Sequence, residues 1–414
     1  MLKNDGLLPL KKSVKRVTVI GPAENDDEIL WGNYCGYNKN SVTVLQGLKE
    51  KLLHANVLFE MGCELSEYFP QLEPVPRDLL FTDVKAKTKK VKVAFYNNPN
   101  LWGNAKHEVI ESNNNKIWWA KAPFSDIPAD NFGACFEAYP SVPEAGRYAL
   151  GIKGFYDYRF YVNDPLEFSY SSVHHLRKNF CLRNSKAGKM IKIKIEYRHE
   201  MVKYAMIKLL WGLLNNDILM KRALAAALRS VVVLLCMGIN WNLEGEERTV
   251  KTTGFAGGDR TEIDLPDTQQ RLIKEIRKFD KPTVLVLQNG SPLSIPLEDR
   301  NLIAVVEGWY VGQSASTAIT DVPFGDYNPS GRLPATVCKS LEQLSDCEDY
   351  SMKRKIYRYF QENPLCKFDN MLIYSTFMYG DLQMPAKIPT SQAVEVTVGR
   401  KQPDEKTFIK AIVI

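Results

Sequence analysis

The sequence predicts an α/β protein: a mainly parallel-sheet α/β sandwich interrupted by an all-β sandwich, with a truncated β-rich tail. Three observations carry this. Short β-branched runs at Arg16 to Gly21, Val231 to Cys236, Thr283 to Leu287 and Leu302 to Val306 are apolar on both faces, as strands of a covered parallel sheet must be. Stretches of helical apolar spacing lie between them. From about residue 85 to 213 the pattern changes to alternating, aromatic-rich strands with Gly, Pro and Asn turns.

The elements follow in order. RVTVIG is a buried strand that Gly21-Pro22 turns into a loop. Thr43 to Leu53 places Val44, Leu45, Leu48, Leu52 and Leu53 close to helical spacing, and Asn56 to Met61 returns to strand, completing a βαβ unit. Val91 to Tyr96 and Tyr148 to Val162 are aromatic and β-branched. Ile191 to Tyr197 alternates strictly, which gives a strand one wet face and places it in an antiparallel sheet. Lys221 to Leu228 is an alanine- and leucine-rich helix. Asp267 with Gln270 predicts a capping box for a helix that buries Leu272, Ile273, Ile276 and Phe279. After about residue 346 the pattern weakens: Tyr350 to Phe360 is basic and aromatic, and Ala393 to Val398 reads as a lone strand, too little for a domain. The expected division is 1–84 and 214–345 for the two parts of the α/β domain, 85–213 for the inserted sandwich, and 346–414 for a linker and truncated tail. Insertion at a surface loop is well tolerated.

Composition narrows the function. At 414 residues, 45% hydrophobic and 25% charged, the chain has room for two or three domains with cores of their own. The net charge of +6 is spread out, with clusters only at Lys11 to Arg16 and Lys85 to Lys92, and no nucleic-acid-reading motif accompanies it. No nucleic-acid partner is expected. The longest apolar stretch, Val231 to Ile239, is far short of a bilayer span, so no membrane association is expected either. MLKNDGLLPLKK has no signal-peptide pattern. None of the eight cysteines forms a C-x-x-C pair; they read as buried or incidental thiols. His54, His107, His174, His175 and His199 have no ligand spacing, so neither a metal nor a cofactor is expected.

One stretch concentrates chemistry. LEGEERTVKTTGFAGGDR sets Glu244, Glu246 and Glu247 directly after a buried strand, at the sheet edge where α/β folds hold ligands, with Asp259 and Arg260 beyond a glycine-rich bend. Taken alone, such a turn is a solvated loop. Gly290-Ser291-Pro292 lacks the G-x-S-x-G frame of a nucleophile elbow, and Gly254 to Gly258 lacks a dinucleotide fingerprint. Trp102, Trp118 and Trp119 can stack on sugar rings, though packing in the sandwich core is their favoured role.

The segments LKNDGLLPLKK, VIGP, GNY, LEGEE, GGDRTEIDLP, KPTVLVLQNGSP, EGWYVGQSASTAITDVPFGDYNPSGRLPATV, SMKRKIYRYF and DLQMPAKI resemble the C-terminal half of glycoside hydrolase family 3, which includes β-glucosidases and β-xylosidases. The resemblance covers most of 1–84 and 214–398, and FGDYNPSGRLPATV is its most specific motif. The insert resembles the β-sandwich first described in anthrax protective antigen, through Tyr148-Ala-Leu-Gly-Ile and Lys194-Ile-Glu-Tyr197. The acidic Asp-Asp-Gly turn usual there is missing around Phe155 to Arg159.

This resemblance implies retaining hydrolysis of O-glycosyl bonds by two modules. A (β/α)8 barrel supplies an aspartate nucleophile, and the α/β domain supplies a glutamate acid/base from a loop. The chain opens where the family's linker from the barrel meets the second domain, so the barrel is expected to be absent and separately encoded, and the chain inactive alone. The family's acid/base glutamate lies in a Glu-x-Glu segment upstream of Asp-Arg, which selects Glu246, then Glu244. Asp259 and Arg260 become supporting residues: Asp259 forms the bend, and Arg260 pairs with a carboxylate or carbonyls to hold the loop. Nothing singles out Glu262, Asp264 or Asp326 as a replacement nucleophile. The expected partner is an oligosaccharide or β-glycoside; the alternative is a non-catalytic carbohydrate-binding or degenerate fragment. Two departures stand against activity: Lys367 to Tyr374 replaces the family's Gly-rich aromatic segment, and the fibronectin type III-like tail is recognisable only to about Val398.

Overall fold

The computed structural model describes residues 1–23, 27–30, 32, 35, 41–70, 72–85, 88–111, 117–119, 122–171, 177–200, 205–245, 250, 252–295, 302–387, 395–401 and 408–413. They fall into two units, Met1–Cys63 with Met220–Ile414, and Glu64–Leu219.

The first unit is organised by a six-stranded sheet. Its strands are β1 (Lys3–Asn4), β2 (Arg16–Ile20), β3 (Asn56–Glu60), β4 (Val232–Gly238), β5 (Thr283–Gln288) and β6 (Ala304–Glu307). Their order across the sheet is β1-β6-β5-β4-β2-β3, with every pair parallel except β1 on β6. All seven residues of β4 and all six of β5 are buried, so the two-sided apolar runs mark the centre of the sheet.

Among the described helices are α1 (Val44–Lys51), α2 (Asn216–Leu228), α3 (Asp267–Arg277), α4 (Ala315–Asp321) and the short α5 (Ile356–Tyr359). Thr43 caps α1, its side chain accepting from the Gln46 amide at 3.3 Å. The helix stops at Lys51, and Leu53, predicted on its apolar face, lies past the cap with 79% of its surface exposed. The predicted capping box on α3 does not form. Pro266 occupies the cap position, so Asp267 is the first helical residue, and Gln270 donates to the Leu265 carbonyl at 2.6 Å. The same helix buries Gln269 together with Leu272, Ile273 and Ile276.

The tail departs from the lone-strand expectation. Met378–Gln383, Glu395–Lys401 and Phe408–Val413 form a three-stranded antiparallel sheet, so residues beyond Val398 that matched no pattern supply its third strand. The sheet is assembled by cross-strand register between separate segments, which composition does not display.

The second unit holds two antiparallel sheets. One runs Arg177–Ser185, Gly146–Gly154, Ala205–Leu214, Glu73–Pro74, with Ile117–Trp119 also on Ala205–Leu214. The other runs Leu166–Tyr170, Asp157–Val162, Ile193–His199, Phe132–Pro140, Val91–Tyr96, His107–Glu111, with Leu80–Phe81 beside Phe132–Pro140. Ile193–His199 alternates buried and half-buried along its length. Its inward residues join Phe132, Phe136, Tyr158, Phe160, Leu150 and Ile152 in one core. Trp102 is not part of that core: 74% of it is exposed. Cys63 and Cys236 are buried as expected of inert thiols, whereas Cys35 and Cys347 are exposed. No described helix is long and apolar enough to cross a membrane.

Candidate functional site

The parallel strands deliver their C-terminal ends to one edge of the first unit, and the backbone there is fixed by close approach. Gly238 ends β4 with φ +149°, and a Cβ built on it would lie 1.8 Å from the Gln288 carbonyl oxygen. Only glycine lets the ends of β4 and β5 come this close. Gln269, fully buried on α3, then clamps the same residue. Its Nε2 donates to the Gly238 carbonyl at 2.7 Å, and its Oε1 accepts from the Gly238 amide at 2.9 Å. The chain therefore leaves the sheet in a set direction.

A tight turn follows. The Asn240 carbonyl accepts from the amides of Leu243 at 3.0 Å and Glu244 at 3.1 Å, while buried Leu243 anchors the turn. Glu244 comes next, three-quarters buried. Ser291 Oγ donates to Glu244 Oε1, and Arg260 Nη1 stands 3.9 Å from the same oxygen. Glu246 and Glu247, the other two predicted carboxylates, lie outside the described residues.

Arg260 returns to this point through a hairpin. Phe255 pairs with Arg260 and Ala256 with Asp259 across Gly257, whose φ is +66°, and Gly245 donates to the Gly258 carbonyl at 3.2 Å. Asp259 is exposed at the bend and Arg260 points inward. The guanidinium donates through Nη1 to Ser291 Oγ at 2.7 Å and the Pro292 carbonyl at 2.8 Å, and through Nε to the Glu262 carbonyl at 3.2 Å. Burial pulls it down from its ordinary value, while the Glu244 and Asp264 charges push it back up. Burial likewise raises the Asp264 carboxyl, against a hydrogen bond from Ser294 and the Arg260 charge.

Two further groups complete the edge. Tyr310 donates its hydroxyl to the Ile239 carbonyl at 3.1 Å; burial and then the Glu244 charge raise that hydroxyl well above its usual range. Glu307, at the end of β6, accepts from the Trp309 amide at 3.1 Å and from the Asn289 side chain. Burial outweighs these donors and pushes its carboxyl up to about 8. Glu307 and Trp309 border a cavity of about 300 Å3 that Arg332 also lines. Among the described residues no group of three His, Cys, Asp or Glu side chains is placed to hold a metal ion.

Comparison with known proteins agrees with this architecture. The sequence profile of the glycosyl hydrolase family 3 C-terminal domain matches residues 1–376. The chain belongs to glycosyl hydrolase family 3. It is 34% identical over 400 residues to the xylan 1,4-beta-xylosidase of Xylanibacter ruminicola, covering 93% of this chain and 44% of that protein. It is 26% identical over 455 residues to the probable beta-glucosidase J of Neosartorya fischeri, covering 95% of this chain and 50% of that protein. The chain thus spans about half the length of these relatives. Among solved structures, the beta-glucosidase of Kluyveromyces marxianus in complex with glucose shares the fold, with TM-score 0.67 and 20% identity over 98% of this chain and 50% of that one.

Within this family 3 domain, Glu244, Ser291 and Arg260 meet, and Asp259 stands apart at the bend. Ser291 sits in a turn without a nucleophile frame, and its role is to bond Glu244 and Arg260. Gln269 lies in no family-like segment, and Glu307 and Tyr310 lie in the family-like segment EGWYVGQ, which by itself assigns them no role. The nearest signals were Gln beside a predicted cap residue and an isolated Glu ending an apolar strand.

Proposed function

We propose that this chain is the acid/base half of a retaining β-glycosidase acting on β-xylosides or β-glucosides, with the nucleophile supplied by a (β/α)8 barrel. The observation that carries it is the Glu244–Ser291–Arg260 knot at the C-terminal edge of the parallel sheet, where α/β folds place ligands. Ser291 and Arg260 both present donors to Glu244 Oε1, which serves them as an acceptor, whereas a general acid must donate. That division favours Glu244 as the anchor of the loop and Glu246, two residues on, as the acid/base. Retention needs a second carboxyl about 5 to 5.5 Å from the first, and the barrel is the proposed source. The names of the relatives supply the two sugar classes. In the same reading, residues 85–213, within the unit Glu64–Leu219, are the inserted sandwich of the protective-antigen kind, and the tail sheet is fibronectin type III-like.

The test joins the chain to the part of the Xylanibacter relative that it does not cover, where this reading expects the barrel. The chain alone is expected to leave 4-nitrophenyl β-xyloside and β-glucoside intact, and the fusion to cleave at least one. Glu246→Gln in the fusion should lower turnover by at least ~100-fold, with azide restoring it as the glycosyl azide. Turnover by the chain alone that Glu246→Gln abolishes would show that no barrel is needed. An active fusion indifferent to Glu246→Gln would remove that residue from the role.

A further inference from the structure

We propose that the sandwich unit carries a second carbohydrate site, a groove on the solvent face of its larger sheet capped by Trp102, which takes a neutral oligosaccharide. The groove has a volume of about 510 Å3, within the ~300–1,000 Å3 range of small-molecule sites. It is bordered by Trp102 on one side, and by Asp157, Arg159, Ser169, Glu196 and Arg198 along neighbouring strands. These last residues belong together by register: Asp157 faces Arg198, and Arg159 faces both Glu196 and Ser169.

The indole is held out by construction. Asn98 brackets its loop, Nδ2 donating to the Trp102 carbonyl and Oδ1 accepting from the Trp102 amide, both at 3.0 Å. Leu101 takes a left-handed φ of +60°, which strains a branched residue. The loop lies directly on the sheet at Gly133, where a Cβ would come within 2.6 Å of Leu101 Cδ2 and 2.8 Å of the Asn98 carbonyl oxygen. A loop tied to the sheet in this way keeps Trp102 from folding inward and presents its aromatic face at the border of the groove.

The charge pattern selects the ligand. The cations at and beside the groove meet anions: Arg159 lies 3.6 Å from Glu196, Lys194 lies 2.8 Å from Glu196, and Arg198 lies 2.9 Å from Glu200. With its cations so balanced, the face offers little net attraction to a phosphate or sulfate. It offers instead one aromatic plane next to alternating donors and acceptors. A pyranose presents the complement, a face of C–H bonds edged by hydroxyls that both donate and accept.

The test is titration of the 414-residue chain with xylohexaose, cellohexaose and a sulfated heparin hexasaccharide, followed by tryptophan fluorescence and calorimetry. Saturable binding of at least one neutral hexasaccharide with Kd on the order of 0.1–5 mM is expected. Trp102→Ala, which removes an exposed side chain, should weaken it by at least about tenfold, and Trp102→Tyr should retain most of it. No saturation by either neutral sugar at about 10 mM, equal affinity in Trp102→Ala, or preference for heparin would each overturn the proposal.

Discussion

Replacing Gln269 tests whether the candidate site is held by its backbone clamp. In Gln269→Ala the Gly238 amide and carbonyl lose both partners at a fully buried position, having been bonded at 2.9 and 2.7 Å. A buried backbone group left unsatisfied costs about 1–3 kcal/mol, so the pair amounts to about 2–6 kcal/mol before any cavity contribution. Partial entry of water would bring the figure toward the lower end, and about 3 kcal/mol is expected against a total stability of ~5–15 kcal/mol. Gln270→Ala is the control. It sits one residue away on the same helix, loses one half-buried bond to Leu265, and should cost ~0.5–1.5 kcal/mol. Urea unfolding reports the totals, and hydrogen exchange of peptides from 232–245 reports the place. Gln269→Glu adds a pH signature. The neutral carboxyl can still donate to the Gly238 carbonyl and accept from its amide, whereas the ionised form sets one oxygen against another. Burial raises the folded pKa of the introduced carboxyl above its unfolded value of ~4.3, so the variant is least impaired below that pH and loses stability as pH rises through the folded value. If Gln269→Ala matched Gln270→Ala in midpoint and left exchange at 232–245 unchanged, the clamp would not be what fixes the loop.

Three other perturbations probe the same edge. Gly290→Ala sets a Cβ 2.4 Å from Tyr310 Cε2, so the ring must move and lose its bond to Ile239. A loss of ~1–3 kcal/mol is expected by thermal melting, and wild-type stability would refute the ring-on-backbone contact. Arg260→Lys removes the fork that bonds Ser291, Pro292 and Glu262 at once; faster exchange across 255–260 with ~1–3 kcal/mol of lost stability is expected, and unchanged exchange would count against it. Glu307 has a folded value raised to about 8, so its contribution is complete below the unfolded value of ~4.3 and is lost as pH rises through about 8. Glu307→Gln should therefore flatten the stability profile between the unfolded value of ~4.3 and about 8 by a few kcal/mol; a profile parallel to wild type would show that Glu307 is not the group responsible.

The parts of the fold that sequence could display are those in which one residue's environment repeats along the chain. β4 and β5 are buried on both faces, so their apolar runs announce them, and the alternation of Ile193–His199 announces a sheet with one wet side. The site depends on something else, namely contacts between residues far apart in sequence whose types are individually ordinary. Gln269 and Gln270 are neighbours with the same side chain; the helical turn between them sends one to Gly238 and the other back to Leu265. Ser291 matters because the β5 turn brings it to Glu244, 47 residues upstream. Composition could nominate Trp102 only as an aromatic in a sandwich, a class that is usually core. Its exposure is decided by Asn98, by the left-handed Leu101 and by the missing Cβ of Gly133, which lies on the strand beneath. The positions that carry the proposed chemistry are thus where a pattern in one segment is completed by a glycine or a polar side chain in another. Substitutions at Gly133 or Asn98 should accordingly disturb the Trp102 groove as much as substitutions of Trp102 itself.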